Sequence, residues 1–129
     1  MLKLLVRMSS FGNLRHIPET WQRLSICRFP PDSFADGIFN PLLPDEHEEE
    51  HWRYSEQSEE DWKRFRTAYK NKLRGMDAAS VMHQLYEICK YTGKVVLLSK
   101  EKPDEHNYRR IAAVWFRHYG YDVKEWEGK

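Results

Sequence analysis

Lys94-Val95-Val96-Leu97-Leu98-Ser99 is the stretch whose reading decides the fold. A strand with one wet face alternates apolar and polar residues, and this one does not. An unbroken apolar run suits a central parallel strand covered on both faces. Upstream of it, Asp77 can cap a helix whose Val81, Leu85 and Ile88 share a face and which Gly93 closes. Before that helix, Ser58 and Asp61 resemble a capping box, Trp62, Phe65, Tyr69 and Leu73 form one face, and Gly75 is the stop. Downstream, Pro103-Asp104 opens a helix with an apolar stripe of Tyr108, Ile111, Ala112, Trp115 and Tyr119, ended by Gly120. Tyr121 to Trp126 can make a final edge strand.

The N-terminal third supplies two more strands. Leu2 to Met8 is an apolar run followed by turn chemistry in Ser9-Ser10-Phe11-Gly12-Asn13, and Leu24 to Phe29 is a short strand stopped by Pro30-Pro31. The spacing predicts Leu4–Met8 and Ser25–Cys27 in the same sheet as Val95–Leu98. About 32–57 reads as an irregular acidic connection. Strands alternating with helices predict a small single-domain α/β sandwich over residues 1–129, with a mainly parallel sheet flanked by helices.

The composition narrows the function classes. The chain has 21 basic and 20 acidic residues, a net charge of +1, which argues against a protein that coats duplex nucleic acid. The charges are segregated all the same, Asp45 to Glu60 being acidic and Lys94 to Arg110 rich in Lys and Arg. That basic stretch is the only feature that favours nucleic acid. The two cysteines, Cys27 and Cys89, lie in apolar stretches and read as buried free thiols suited to a reducing compartment. The opening residues are too interrupted for a signal-peptide core, and no stretch has the length of a membrane span. The expectation is a cytoplasmic protein without a membrane partner.

In open parallel sheets, ligands bind beyond the carboxyl ends of the strands. That rule selects Ser9–Asn13, Arg28–Pro31 and Ser99–Arg110. Ser9, Ser10 and Asn107 can orient a ligand, Gly12 allows close backbone approach, and Arg28, Lys102 and Arg109 can clamp an anion. Glu101, followed by His106, is the general acid/base candidate. A helix N-terminus in the same place favours negative charge. Each residue also has a plain structural reading: Arg28 as an ion-pair partner, the lysines as solvated surface, Asp104 and Asn107 as helix caps.

Three stretches carry a resemblance: Ser9-Ser10-Phe11-Gly12-Asn13-Leu14-Arg15, Ile26-Cys27-Arg28-Phe29-Pro30-Pro31, and Val95 to Leu98 with Glu101-Lys102-Pro103 and His106-Asn107-Tyr108-Arg109. Together they resemble the family called domain of unknown function 488, from about Leu2 to Trp115, with Trp62, Phe65, Tyr69 and Leu73 resembling its middle helix. One branch of that family carries a Cys-His-Arg triplet after the last core strand, and another carries His-Asn. This chain resembles a hybrid, with His106-Asn107 from one and Arg109 from the other. The triplet's Cys position is Asn107 and its His position is Tyr108, so the resemblance brings no thiol there. It implies an α/β fold and a shared pocket, and no established reaction.

Two motifs mislead. His47-Glu48-Glu49-Glu50-His51 matches H-E-x-x-H, but its acidic setting reads as a solvated helix start, and neither metal nor other cofactor is expected. Cys27 beside Arg28 resembles a cation-stabilised thiolate, yet neighbours on a strand point to opposite faces. The leading expectation is a protein that binds, and can process, an anionic nucleotide-like or phosphate-bearing small molecule. The alternative is a non-catalytic interaction or regulatory module docking a protein partner through its acidic segment and its tryptophans.

Overall fold

The computed structural model describes residues 4–127. Four parallel strands form one sheet: β1 (Leu5–Ser10), β2 (Gln22–Ser25), β3 (Lys94–Ser99) and β4 (Val123–Glu125), in the order β2-β3-β1-β4. β3 is interior, with β1 on one side and β2 on the other. Its side chains alternate between two apolar clusters, Val95 and Leu97 on one face and Val96 and Leu98 on the other. A continuous apolar run is what a strand buried on both faces requires. Leu2 and Lys3, at the start of the expected first strand, lie outside the described residues.

The α-helices all contribute to the cluster on one face of the sheet: α1 (Glu46–Tyr54), α2 (Glu59–Arg74), α3 (Ala78–Cys89) and α4 (Tyr108–His118). The other face is covered by Phe11, Leu14 and Ile17 from a 3-10 segment and its exit, with Trp21, Phe34 and Trp126. The two sides therefore differ in kind, helical packing on one and a thin aromatic layer on the other. No helix among the described residues is long and apolar enough to cross a membrane.

Local signals hold where they are self-contained. Ser58 and Asp61 form the full capping box of α2, and Asp77 accepts the Ser80 N–H to cap α3. Gly93 sits at φ +69 after α3 and Gly120 at φ +90 after α4, conformations that glycine adopts without steric penalty.

Three boundaries differ from the sequence reading. β2 covers Gln22–Ser25, earlier than the expected Leu24–Phe29. The Ser25 hydroxyl accepts the Cys27 N–H at 2.9 Å and donates to the Cys27 carbonyl at 2.7 Å, folding the chain into a local turn. Ile26 still donates to the Leu98 carbonyl, so the backbone leaves the sheet only at Cys27. The last helix starts at Tyr108 rather than at Pro103-Asp104, because Glu105 folds back to accept the Lys102 N–H at 2.8 Å and Asn107 takes the cap. The acidic connection contains a helix, α1, capped by Asp45.

Candidate functional site

β2 and β3 are parallel neighbours, so the residues after each emerge on the same edge of the sheet. Beyond β2 the chain presents Cys27, Arg28 and Phe29; beyond β3 it presents Lys100 and Glu101. α1 lies across this opening, and the cleft of about 330 Å³ beneath it is lined by Cys27, Glu49, Trp52, Lys100, Glu101 and Tyr108, with Arg53 and Gln57 at its margin. A second hollow, shared by Trp52, Gln57, Glu101 and His106, adjoins it.

Glu101 is the distinctive group. Its Oε1 is buried without a hydrogen-bond partner. Burial pushes its carboxyl above the ordinary range, against the opposing pull of its own backbone N–H, Ser99 and Arg109. A carboxyl shifted in this direction holds its proton to a higher pH than an ordinary glutamate, and while protonated it can donate a hydrogen bond. Cys27 lies nearby, and burial raises its thiol as well, so it stays a thiol rather than a thiolate. Tyr108 donates to the Ile26 carbonyl at 2.7 Å and presents its ring to the cleft.

The remaining sequence candidates fall into distinct places. Arg28 donates to Glu49 at 2.5 Å and to the Pro44 carbonyl at 2.9 Å, which pins α1 over the strand ends. Arg109 is fully buried and donates to Glu125 at 2.9 and 3.0 Å, to the Ser99 hydroxyl at 2.9 Å and to the Glu101 carbonyl at 2.5 Å. It therefore ties α4 to β3, β4 and the Glu101 backbone. Asn107 is buried, accepting the Arg110 N–H and donating to the Glu105 carbonyl, both at 2.9 Å. Ser9 and Ser10 are buried at the end of β1, where Asn13 donates to the Ser9 hydroxyl at 3.2 Å. Gly12 is exposed and has no positive φ. Lys102 is exposed on the turn before α4. His106 stacks on Trp62, ring centroids 4.6 Å apart, with Nε2 3.0 Å from the Glu59 carboxylate. Of these candidates only Glu101 lines the cleft itself; His106 shares the adjoining hollow.

Glu49, Arg53 and Gln57 are cleft residues that the sequence did not single out, and Trp52 and Tyr108 were read as a docking aromatic and a helix-stripe residue rather than as part of the site. Trp52 carried a usable signal: a large aromatic in an acidic helix needs an apolar partner, and it packs against Trp62 and Phe65. Arg109, a sequence candidate for the ligand, instead joins Ala112, Ala113 and Phe116 on the buried face of α4. His47 is exposed on α1, and among the described residues no group of three potential ligands is positioned to hold a metal ion.

In comparison with known families, the family described as Domain of unknown function DUF488 matches residues 38–116. The matched stretch takes in α1 to α3, β3 and α4 as far as Phe116, and begins after β1, β2 and Arg28. No curated protein and no solved structure matches the chain.

Proposed function

The chain belongs to the DUF488 family, whose description assigns no activity, and from its own cleft we propose that it binds a small anionic molecule carrying a flat ring, of the nucleotide-like kind. The buried, unpartnered Oε1 of Glu101 carries this reading. A buried polar atom without a partner is costly, and a ligand that hydrogen-bonds to it removes that cost.

The surrounding groups complement such a molecule. Trp52 is the half-buried aromatic on the cleft and offers a ring for stacking, with the buried Phe65 and Tyr108 packed behind it. Lys100 and Arg53 line the same cleft and supply positive charge at its exposed side. The two carboxyl groups oppose an anion less than free ones would: Glu49 is paired with Arg28, and burial shifts Glu101 toward its neutral form. Glu101 donates a hydrogen bond to a ligand oxygen while protonated and accepts one from a ligand N–H or O–H when ionised. Arg109 holds the Glu101 carbonyl and so fixes the carboxyl's location without touching the ligand.

Adenosine monophosphate and inorganic phosphate are suitable probes in a thermal-shift titration. The monophosphate should raise the melting temperature of the protein, the effect should shrink in Lys100→Ala, and inorganic phosphate should do less. An unchanged melting temperature with both probes at every concentration overturns the reading.

A further inference from the structure

α2 carries Arg66, Lys70 and Arg74 at intervals of four residues, and α4 carries Arg110, Val114 and His118 at the same interval. Residues spaced by four share a helix face, and like charges so placed repel. The contact between His106 and Glu59 ties the start of α4 to the start of α2, so the helices run side by side and the two rows flank one groove. The groove encloses about 500 Å³. Its floor is apolar, with Leu73, Ile111, Val114 and Trp115. Val114 is 52% exposed, and the Trp115 indole N–H is buried without a partner. No acidic residue lines the groove. Among the described residues none of the four Lys and Arg side chains reaches a carboxylate; Arg74 donates to Asn71 and Arg110 to the Pro103 carbonyl.

The complementary surface lies on the other flank of α2. Asp45, Glu46 and Glu50 are exposed at the start of α1 and belong to no ion pair among the described residues. Glu46, Glu50 and Tyr54 again fall at intervals of four, so this acidic row ends in an aromatic ring that is 77% exposed. The Glu48–Arg64 pair at 2.9 Å and the bond from Tyr69 to the Leu42 carbonyl at 2.7 Å place the start of α1 level with the middle of α2.

We propose that the α2–α4 groove receives the acidic row of α1 from a second copy of the chain, forming a two-fold dimer. α2 lies between the acidic helix and the groove, so an axis running along α2 sets each acidic row over the partner's groove, and both contacts form together. Glu46 and Glu50 meet the cationic rows. A nucleic-acid backbone satisfies the cations and leaves the apolar floor without a partner, which is why a protein surface fits better.

Sedimentation velocity of the full chain, from micromolar to near-millimolar concentration, tests the proposal. The wild type should be a dimer at low salt and dissociate at high salt. Lys70→Glu/Arg74→Glu should be monomeric, and so should Glu46→Lys/Glu50→Lys. All four positions are exposed, and far-UV circular dichroism checks that both variants are folded. Mixing the two variants should restore a dimer, because both of its contacts are then complementary again. A wild type that stays monomeric overturns the proposal, including one that binds a fluorescent oligothymidylate in the groove. Variants that dimerise undiminished, or a mixture that stays monomeric, overturn it as well.

Discussion

Arg109→Met replaces a fully buried guanidinium with an apolar chain of comparable length, and the structure allows its cost to be estimated. The Ser99 hydroxyl is fully buried and loses its donor, as does the Glu101 carbonyl. A buried group left without its partner costs about 1–3 kcal/mol. Glu125 also loses its partner, but its side chain is 38% exposed and can turn to water, so its share is small. Removing a buried charge also relieves desolvation of the cation, which offsets part of the loss. The net is about 3 kcal/mol, a large share of the roughly 5–15 kcal/mol that holds a domain of this kind together. Urea denaturation followed by tryptophan fluorescence measures it. The midpoint should fall at an unchanged slope. A stability loss under about 1 kcal/mol refutes Arg109 as the strut joining α4, β3 and β4. A normal midpoint with lost affinity for adenosine monophosphate would make it a ligand contact instead.

Three further outcomes follow from other groups. Glu101 has a folded-state pKa above its unfolded value, so it adds stability below the ordinary carboxylate range that is lost as pH rises through the folded value. Glu101→Gln should therefore flatten the fall in stability with rising pH and be at least as stable as wild type at neutral pH; a steeper pH dependence in the variant contradicts this. Arg28→Lys keeps the charge but cannot hold Glu49 and the Pro44 carbonyl in the same fork, so α1 should loosen at a cost of about 1–2 kcal/mol, seen as faster hydrogen exchange in α1; unchanged exchange contradicts it. Leu97→Asp puts a charge at a fully buried position of β3 and should abolish cooperative unfolding; a folded variant near wild-type stability contradicts the interior placement of that strand.

What could be read beforehand depended on the range of the determining contacts. The capping box of α2 and the unbroken run of β3 are properties of a few adjacent residues, and both stand as read. The end of β2 depends on a serine hydroxyl closing onto Cys27, which competes with strand pairing and leaves no periodic trace. Pro103 resembles a helix start, but the cap went to Asn107 because Glu105 closed a turn first. For the site, the strand-end rule located Glu101 because β2 and β3 are parallel neighbours. It could not supply Glu49, Trp52 or Gln57, which reach the cleft through an ion pair and aromatic packing far apart in sequence. Nor could it show Arg109 buried, since an arginine one step off an apolar stripe also reads as solvent-exposed.

The central claim is that the cleft beneath α1 is the ligand site. Amide chemical-shift mapping during titration with adenosine monophosphate tests it most directly. The account predicts shifts concentrated at Cys27, Trp52, Gln57, Lys100 and Glu101; shifts confined to the α2–α4 groove, or none anywhere, would contradict it.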